Sequence, residues 1–148
     1  MRVDEVMTHA VVSAETSETL AGVGALMRDR GVGSVVIVDG GRPVGVLTDR
    51  DLALAAVADG VESSNPARAH MSRPLVTGQT GMDLEEAAAL MVENRIRRLP
   101  LRDGEQLSGI VTIDDLALRV GDPSLAQRMT AEVARAALPG FYFRQRGG

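Results

Sequence analysis

The sequence predicts an α+β fold built from two tandem β-α-β-β-α units followed by one further helix. Three observations carry this. Shifting the chain by 64 positions lays Met7–Leu54 on Met71–Leu118 without a gap and with fifteen identities. Within each copy a helical-period stretch is followed by two short apolar runs joined by an Asp-Gly pair, Asp39-Gly40 and Asp103-Gly104, which reads as a helix and then a hairpin. The hairpin closes on Gly45-Val46-Leu47-Thr48-Asp49-Arg50-Asp51 and again on Gly109-Ile110-Val111-Thr112-Ile113-Asp114-Asp115, where an apolar run meets a helical pattern. Two copies are too few for a solenoid, so a closed pair is expected. The units span residues 1–60 and 61–122, and 123–148 hold a C-terminal helix and an aromatic tail.

The elements follow in order. Arg2–Met7 is a short lead-in, and Val11-Val12 a very short strand. Thr16–Thr19 supplies hydroxyls for a helix start, and Leu20, Val23 and Met27 share one helical face. Gly31 and Gly33 end that helix. Ser34–Val38 is a continuous β-branched run, the pattern of a strand buried on both sides. Asp39–Pro43 is a turn, Val44–Leu47 the next strand, and a helix runs from Thr48 or Asp49 to about Ala58. Asp59–Asn65 is a linker, and Asn65-Pro66 fits an N-cap and first-turn pair that opens a short helix to Met71. The second copy then gives a strand at Leu75-Val76 and a helix over Asp83–Glu93 with Leu84, Ala87, Ala88 and Met91 inward. Strands at Leu99–Leu101 and Leu107–Val111 and a helix over Ile113–Val120 complete it. Asp122-Pro123-Ser124 opens the last helix, to about Ala137.

Composition narrows the function classes. A chain of 148 residues can bury one sizeable core, and 45% hydrophobic with 24% charged content is that of a globular protein. A net charge of −4 and the lack of aromatics outside Phe141-Tyr142-Phe143 weigh against nucleic acid. There is no cysteine, no apolar leader and no run of about 18 apolar residues, so a cytoplasmic location is expected. His9 and His70 have no acidic cluster beside them, so no metal site is expected. No nucleophile elbow or Walker-type loop is present, and no enzyme is expected.

The Thr-x-x-Asp corners read in two ways. Thr48 with Asp51 and Thr112 with Asp115 fit a capping box, with the acid suited to the positive end of the helix dipole. The same parts suit a nucleotide: a helix start attracts phosphate, a hydroxyl donates to it, and a carboxylate accepts from two ribose hydroxyls. The glycine three positions earlier leaves room for close backbone approach.

The duplicated unit, the Gly-h-h-Thr-x-x-Asp signature, the starts Val6-Met7-Thr8 and His70-Met71-Ser72, and the run Leu99-Pro100-Leu101 with Asp103 resemble the CBS domain (cystathionine β-synthase-type repeat). The resemblance covers about Met1–Val120 and implies a stand-alone pair of repeats related by a pseudo-twofold, sheets packed centrally, with two clefts between them. It departs at Ser34-Val35-Val36, where the family often carries Leu-Pro. It implies an adenosine-containing ligand, AMP, ADP, ATP or S-adenosylmethionine, with no cofactor required. The residues it implies for the first cleft are Thr48, Arg50 and Asp51 with Ser72, Leu75, Ile96 and Arg97, and for the second Thr112 and Asp115 with Thr8, Val11, Val32 and Gly33. Val46 and Ile110 would line the base or sugar from below.

Arg50 stands where the second copy has Asp114, and Arg95, Arg97 and Arg98 lie near the first cleft, which is therefore expected to be the better site. Cations also suit a helix C-terminus, the reading favoured for Arg95 and left open for Arg97. The expected role is a sensor that signals through the geometry of a homodimer to an unidentified protein partner, with Phe141–Phe143 assigned to the dimer contact. The alternative is an interaction scaffold whose clefts are vestigial and whose corners are caps only.

Overall fold

The computed structural model describes residues 1–72, 75–121 and 123–137. The first unit comprises β1 (Ser13–Glu15), α1 (Leu20–Arg30), β2 (Ser34–Asp39), β3 (Arg42–Thr48) and α2 (Asp49–Ala53), which runs on as a π-helical turn over Leu54–Ala58. The second comprises β4 (Gly78–Gln79), α3 (Leu84–Glu93), β5 (Arg98–Asp103), β6 (Gln106–Thr112) and α4 (Ile113–Val120). Helix α5 (Pro123–Ala137) follows, with Pro123 at its first position, where a missing N–H costs nothing.

Each unit carries a three-stranded sheet in chain order, the first pair parallel and the second antiparallel. Thr19 caps α1 by accepting from the Gly22 N–H at 3.0 Å, and α1 stops at Gly31, which is left-handed at φ 64°. The hairpin turn Gly40-Gly41 has φ of 59° and 87°, the pair of positive values that a two-residue primed turn needs. Both hairpins carry a bulge, between Ile37 and Val38 and between Leu101 and Arg102. In the first, the bulge admits Pro43 to β3, so Arg42 and Pro43 are strand rather than turn.

Other local expectations shift as well. The short strands are not Val11-Val12 and Leu75-Val76 but β1 and β4, which start two or three residues later. The ladder pairs with β2 and β5 begin there, the first parallel pairs being Ser13–Val36 and Gly78–Leu101. Pro66, not Asn65, caps the turn at Ala67–Ala69, because Pro66 is held extended in a bridge to Thr19.

The buried side chains form two cores, one under each sheet, and the units exchange their lead-ins. Val3, Val6 and Met7 are buried with Leu84, Met91, Leu99 and Val111 of the second unit. Ala67 is buried with Leu20, Val23, Ile37 and Leu47 of the first, and Met71 packs against that core. Hydrogen bonds repeat the exchange. The Leu84 N–H donates to the Met1 carbonyl and the Leu20 N–H to the Asn65 carbonyl, both at 2.9 Å. These are the first N–H groups of α3 and α1, which have no partner inside their own helices. The two sheets meet where β3 lies against β5 and β6.

Candidate functional site

The lead-in exchange builds two clefts. Thr8 pairs with Ile110 through two backbone hydrogen bonds of 2.8 and 3.0 Å, which sets the first unit's lead-in along the strand that ends at Thr112. Ser72 pairs with Val46 in the same way: its N–H donates at 2.9 Å and its hydroxyl at 3.0 Å to the Val46 carbonyl. The signature glycines serve this crossing. A Cβ at Gly45 would lie 2.5 Å from the Met71 sulfur, and one at Gly109 would overlap the Met7 sulfur and stand 3.0 Å from the Thr8 carbonyl oxygen. The close approach that these glycines permit is therefore that of the other unit's lead-in.

At both corners the threonine and aspartate form a reciprocal cap. The Asp51 N–H donates to Thr48 Oγ1 at 3.2 Å and the Thr48 N–H to Asp51 Oδ2 at 2.9 Å. In the second unit the Asp115 N–H donates to Thr112 Oγ1 and the Thr112 N–H to Asp115 Oδ2, both at 3.0 Å. The capping geometry expected from sequence is thus present twice. It does not exhaust either group: each hydroxyl accepts in the cap and keeps its own proton to donate, and each carboxylate keeps Oδ1. The four side chains are half-buried.

The second cleft has a volume of about 320 Å³, and its wall contains every residue assigned to it: Thr8, Val11, Val32, Gly33, Ile110, Thr112 and Asp115. The first cleft, about 420 Å³, is walled by Val46, Ser72, Leu75, Ile96 and Arg97, but Thr48, Arg50 and Asp51 stand outside that wall. Both volumes suit a small-molecule ligand. Gly33 and Ser34 line the second cleft, whereas the equivalent residues in the first are Arg97 and Arg98, whose side chains occupy far more space. Sequence put the better site at the Thr48/Asp51 corner. The structure gives the complete wall to the Thr112/Asp115 corner.

Arg98 lies at the first cleft, as the sequence reading placed it, and reaches the second as well, which that reading missed. It lines both clefts, and in β5 it stands opposite Thr112, so it supplies the second cleft with the positive charge that Asp114 opposes. The repeat held the signal, since Ser34 pairs with Thr48 in the same register. Arg95 lines neither cleft; it is exposed at the end of α3 with φ 59°, where the first unit has Gly31. Among the described residues no group of three or more His, Cys, Asp or Glu is placed to hold a metal ion, and no helix is long and apolar enough to cross a membrane. The tail Phe141–Phe143, with the dimer role expected for it, lies outside the described residues.

Comparison with known proteins matches the CBS domain family model twice, at residues 3–58 and 67–122. The CBS domain-containing protein YhcV of Bacillus subtilis is 40% identical over 78% of this chain and 83% of its own length. Hypoxic response protein 1 of Mycobacterium tuberculosis is 27% identical over 90% of this chain and 95% of its own. A solved structure of Hypoxic Response Protein I, with two coordinated zinc ions, has a TM-score of 0.72 at 28% identity and covers 79% of this chain and 97% of that one. The CBS domain protein PAE2072 from Pyrobaculum aerophilum, solved complexed with AMP, has a TM-score of 0.72 at 24% identity over 88% of this chain and 99% of that one.

Proposed function

The chain belongs to the CBS-domain family, and on that premise we propose that it is a regulatory module that binds an adenosine-containing nucleotide, with the Thr112/Asp115 cleft as its principal site. The observation that carries this reading is the wall of that cleft, where a Thr-x-x-Asp corner of one unit faces the lead-in and the second strand of the other. In it the Thr112 hydroxyl and Arg98 take the phosphate, Asp115 Oδ1 takes the ribose diol, and Val11, Val32 and Ile110 hold the base. AMP, ADP, ATP and S-adenosylmethionine all offer the adenosine part. The chain works in the cytoplasm as a homodimer, and a ligand that favours one dimer geometry over another is read by a protein partner.

A scaffold reading keeps one observation in its favour. At the first corner Thr48 and Asp51 form a complete cap and stand outside the neighbouring cavity. We therefore assign that corner a structural role.

A thermal-shift panel of the purified chain with AMP, ADP, ATP, S-adenosylmethionine and GTP tests the reading. A ligand that binds only the folded state stabilises it by about 2.7 kcal/mol at a hundredfold excess over its dissociation constant. A selective adenosine-ligand shift, abolished by Asp115→Ala and retained in Asp51→Ala, is the expected result. A flat panel to millimolar concentration replaces the sensor with the scaffold.

A further inference from the structure

We propose that the second cleft continues into a phosphate subsite completed by the C-terminal helix, and that it therefore selects adenine nucleotides with two or more phosphates over AMP. This rests on the nucleotide reading above. Beside the polar end of the cleft lies a smaller cavity of about 150 Å³, lined by Arg97, Arg98, Thr112, Ile113, Asp114 and Thr130. It shares Arg98 and Thr112 with the cleft, so a phosphate held by those two residues stands at its mouth.

The chemistry of the lining points to an anion. Two guanidiniums and two hydroxyls face one carboxylate, Asp114, and the cavity keeps a net positive charge. Among the described residues neither arginine forms an ion pair. Each fork is thus available to a phosphate oxygen, and charge-assisted bonds of this type are the strong ones. Asp114 limits the excess charge, which suits one further phosphate rather than a long anionic chain.

Thr130 makes the subsite particular to this corner. It lies half-buried on α5, outside the duplicated unit, and α5 packs on α3 and α4. The first corner has no equivalent, because Gly33 and Ser34 stand where the second unit has Arg97 and Arg98. A second phosphate would thus tie the ligand to the C-terminal helix, and the number of phosphates would be read by an element that AMP does not touch.

Isothermal titration of the full chain with AMP and with ADP tests this. ADP is expected to bind at least about tenfold more tightly than AMP. In Thr130→Val the ratio falls, and in the Arg97→Ser/Thr130→Val double variant the two ligands come within about twofold of each other. Thr130→Ser, which keeps the hydroxyl, retains the preference and separates hydrogen bonding from helix packing. Equal affinity in the unmodified chain, or a preference that survives the double variant, overturns the subsite while leaving the nucleotide reading intact. Failure of both ligands to bind overturns the nucleotide reading and the subsite with it.

Discussion

Asp51 and Asp115 show how one residue type at equivalent positions acquires two roles. Each accepts the N–H of the threonine three residues before it, so each helix loses a cap when the carboxylate is removed. Asp51→Ala and Asp115→Ala are each expected to cost about 0.5–2 kcal/mol in urea denaturation. Only Asp115→Ala is expected to abolish ligand binding in calorimetry as well, since Asp115 lines the second cleft whereas Asp51 is not among the described residues that wall the first. Gly109 is a second residue-scale test. A methyl group there meets both Met7 and the Thr8 carbonyl, so Gly109→Ala is expected to destabilise by about 1–3 kcal/mol. An unchanged denaturation midpoint would mean that the lead-in is free to move away. Arg95 carries the opposite sign. It holds a left-handed backbone on an exposed helix end, and Arg95→Gly is expected to stabilise by about 1 kcal/mol without changing ligand affinity.

The lead-ins matter more as elements than their sequence suggested. Arg2–Met7 reads as a short approach to the first unit. In the structure Val3, Val6 and Met7 complete the core of the second. Met7→Ala is expected to cost about 2–5 kcal/mol, and hydrogen exchange should place the loss in α3 and β5 rather than in α1 and β2. Loss confined to the first unit would contradict the exchange. The helices and long strands were legible because their signals are local: a 3.6-residue period, a β-branched run, a capping hydroxyl, an Asp-Gly turn. The short strands β1 and β4 were not. A strand of two or three residues has too little pattern of its own, and its position depends on where the parallel neighbour lies.

At the scale of the whole molecule, the pseudo-symmetry leaves the same residue uncovered in both units. Leu54 and Leu118, equivalent positions of the repeat, are 48% and 82% exposed, and Val57, three residues after Leu54, is 84% exposed. The proposed homodimer would cover these helices. Leu118→Asp is then expected to halve the mass seen by light scattering while the monomer stays folded. An unmodified chain that is already monomeric at the concentrations used for binding removes the dimer from the proposal.

By itself the sequence determined the repeat, the order of its elements, the family resemblance and the residue types at each corner. All of these are properties of pattern and spacing along the chain. It also grouped the residues of the second cleft, because the resemblance carries pairings between units that spacing alone does not hold. Only the tertiary structure decided which corner's threonine and aspartate line the neighbouring cleft among the described residues. That outcome depends on which side chains face each other across the pair. Gly33 and Ser34 leave space before Thr112 and Asp115, whereas Arg97 and Arg98 stand at the equivalent place for Thr48 and Asp51. The same arginines, read along the chain as positive charge favouring the first cleft, do line it, and Arg98 lines the second as well.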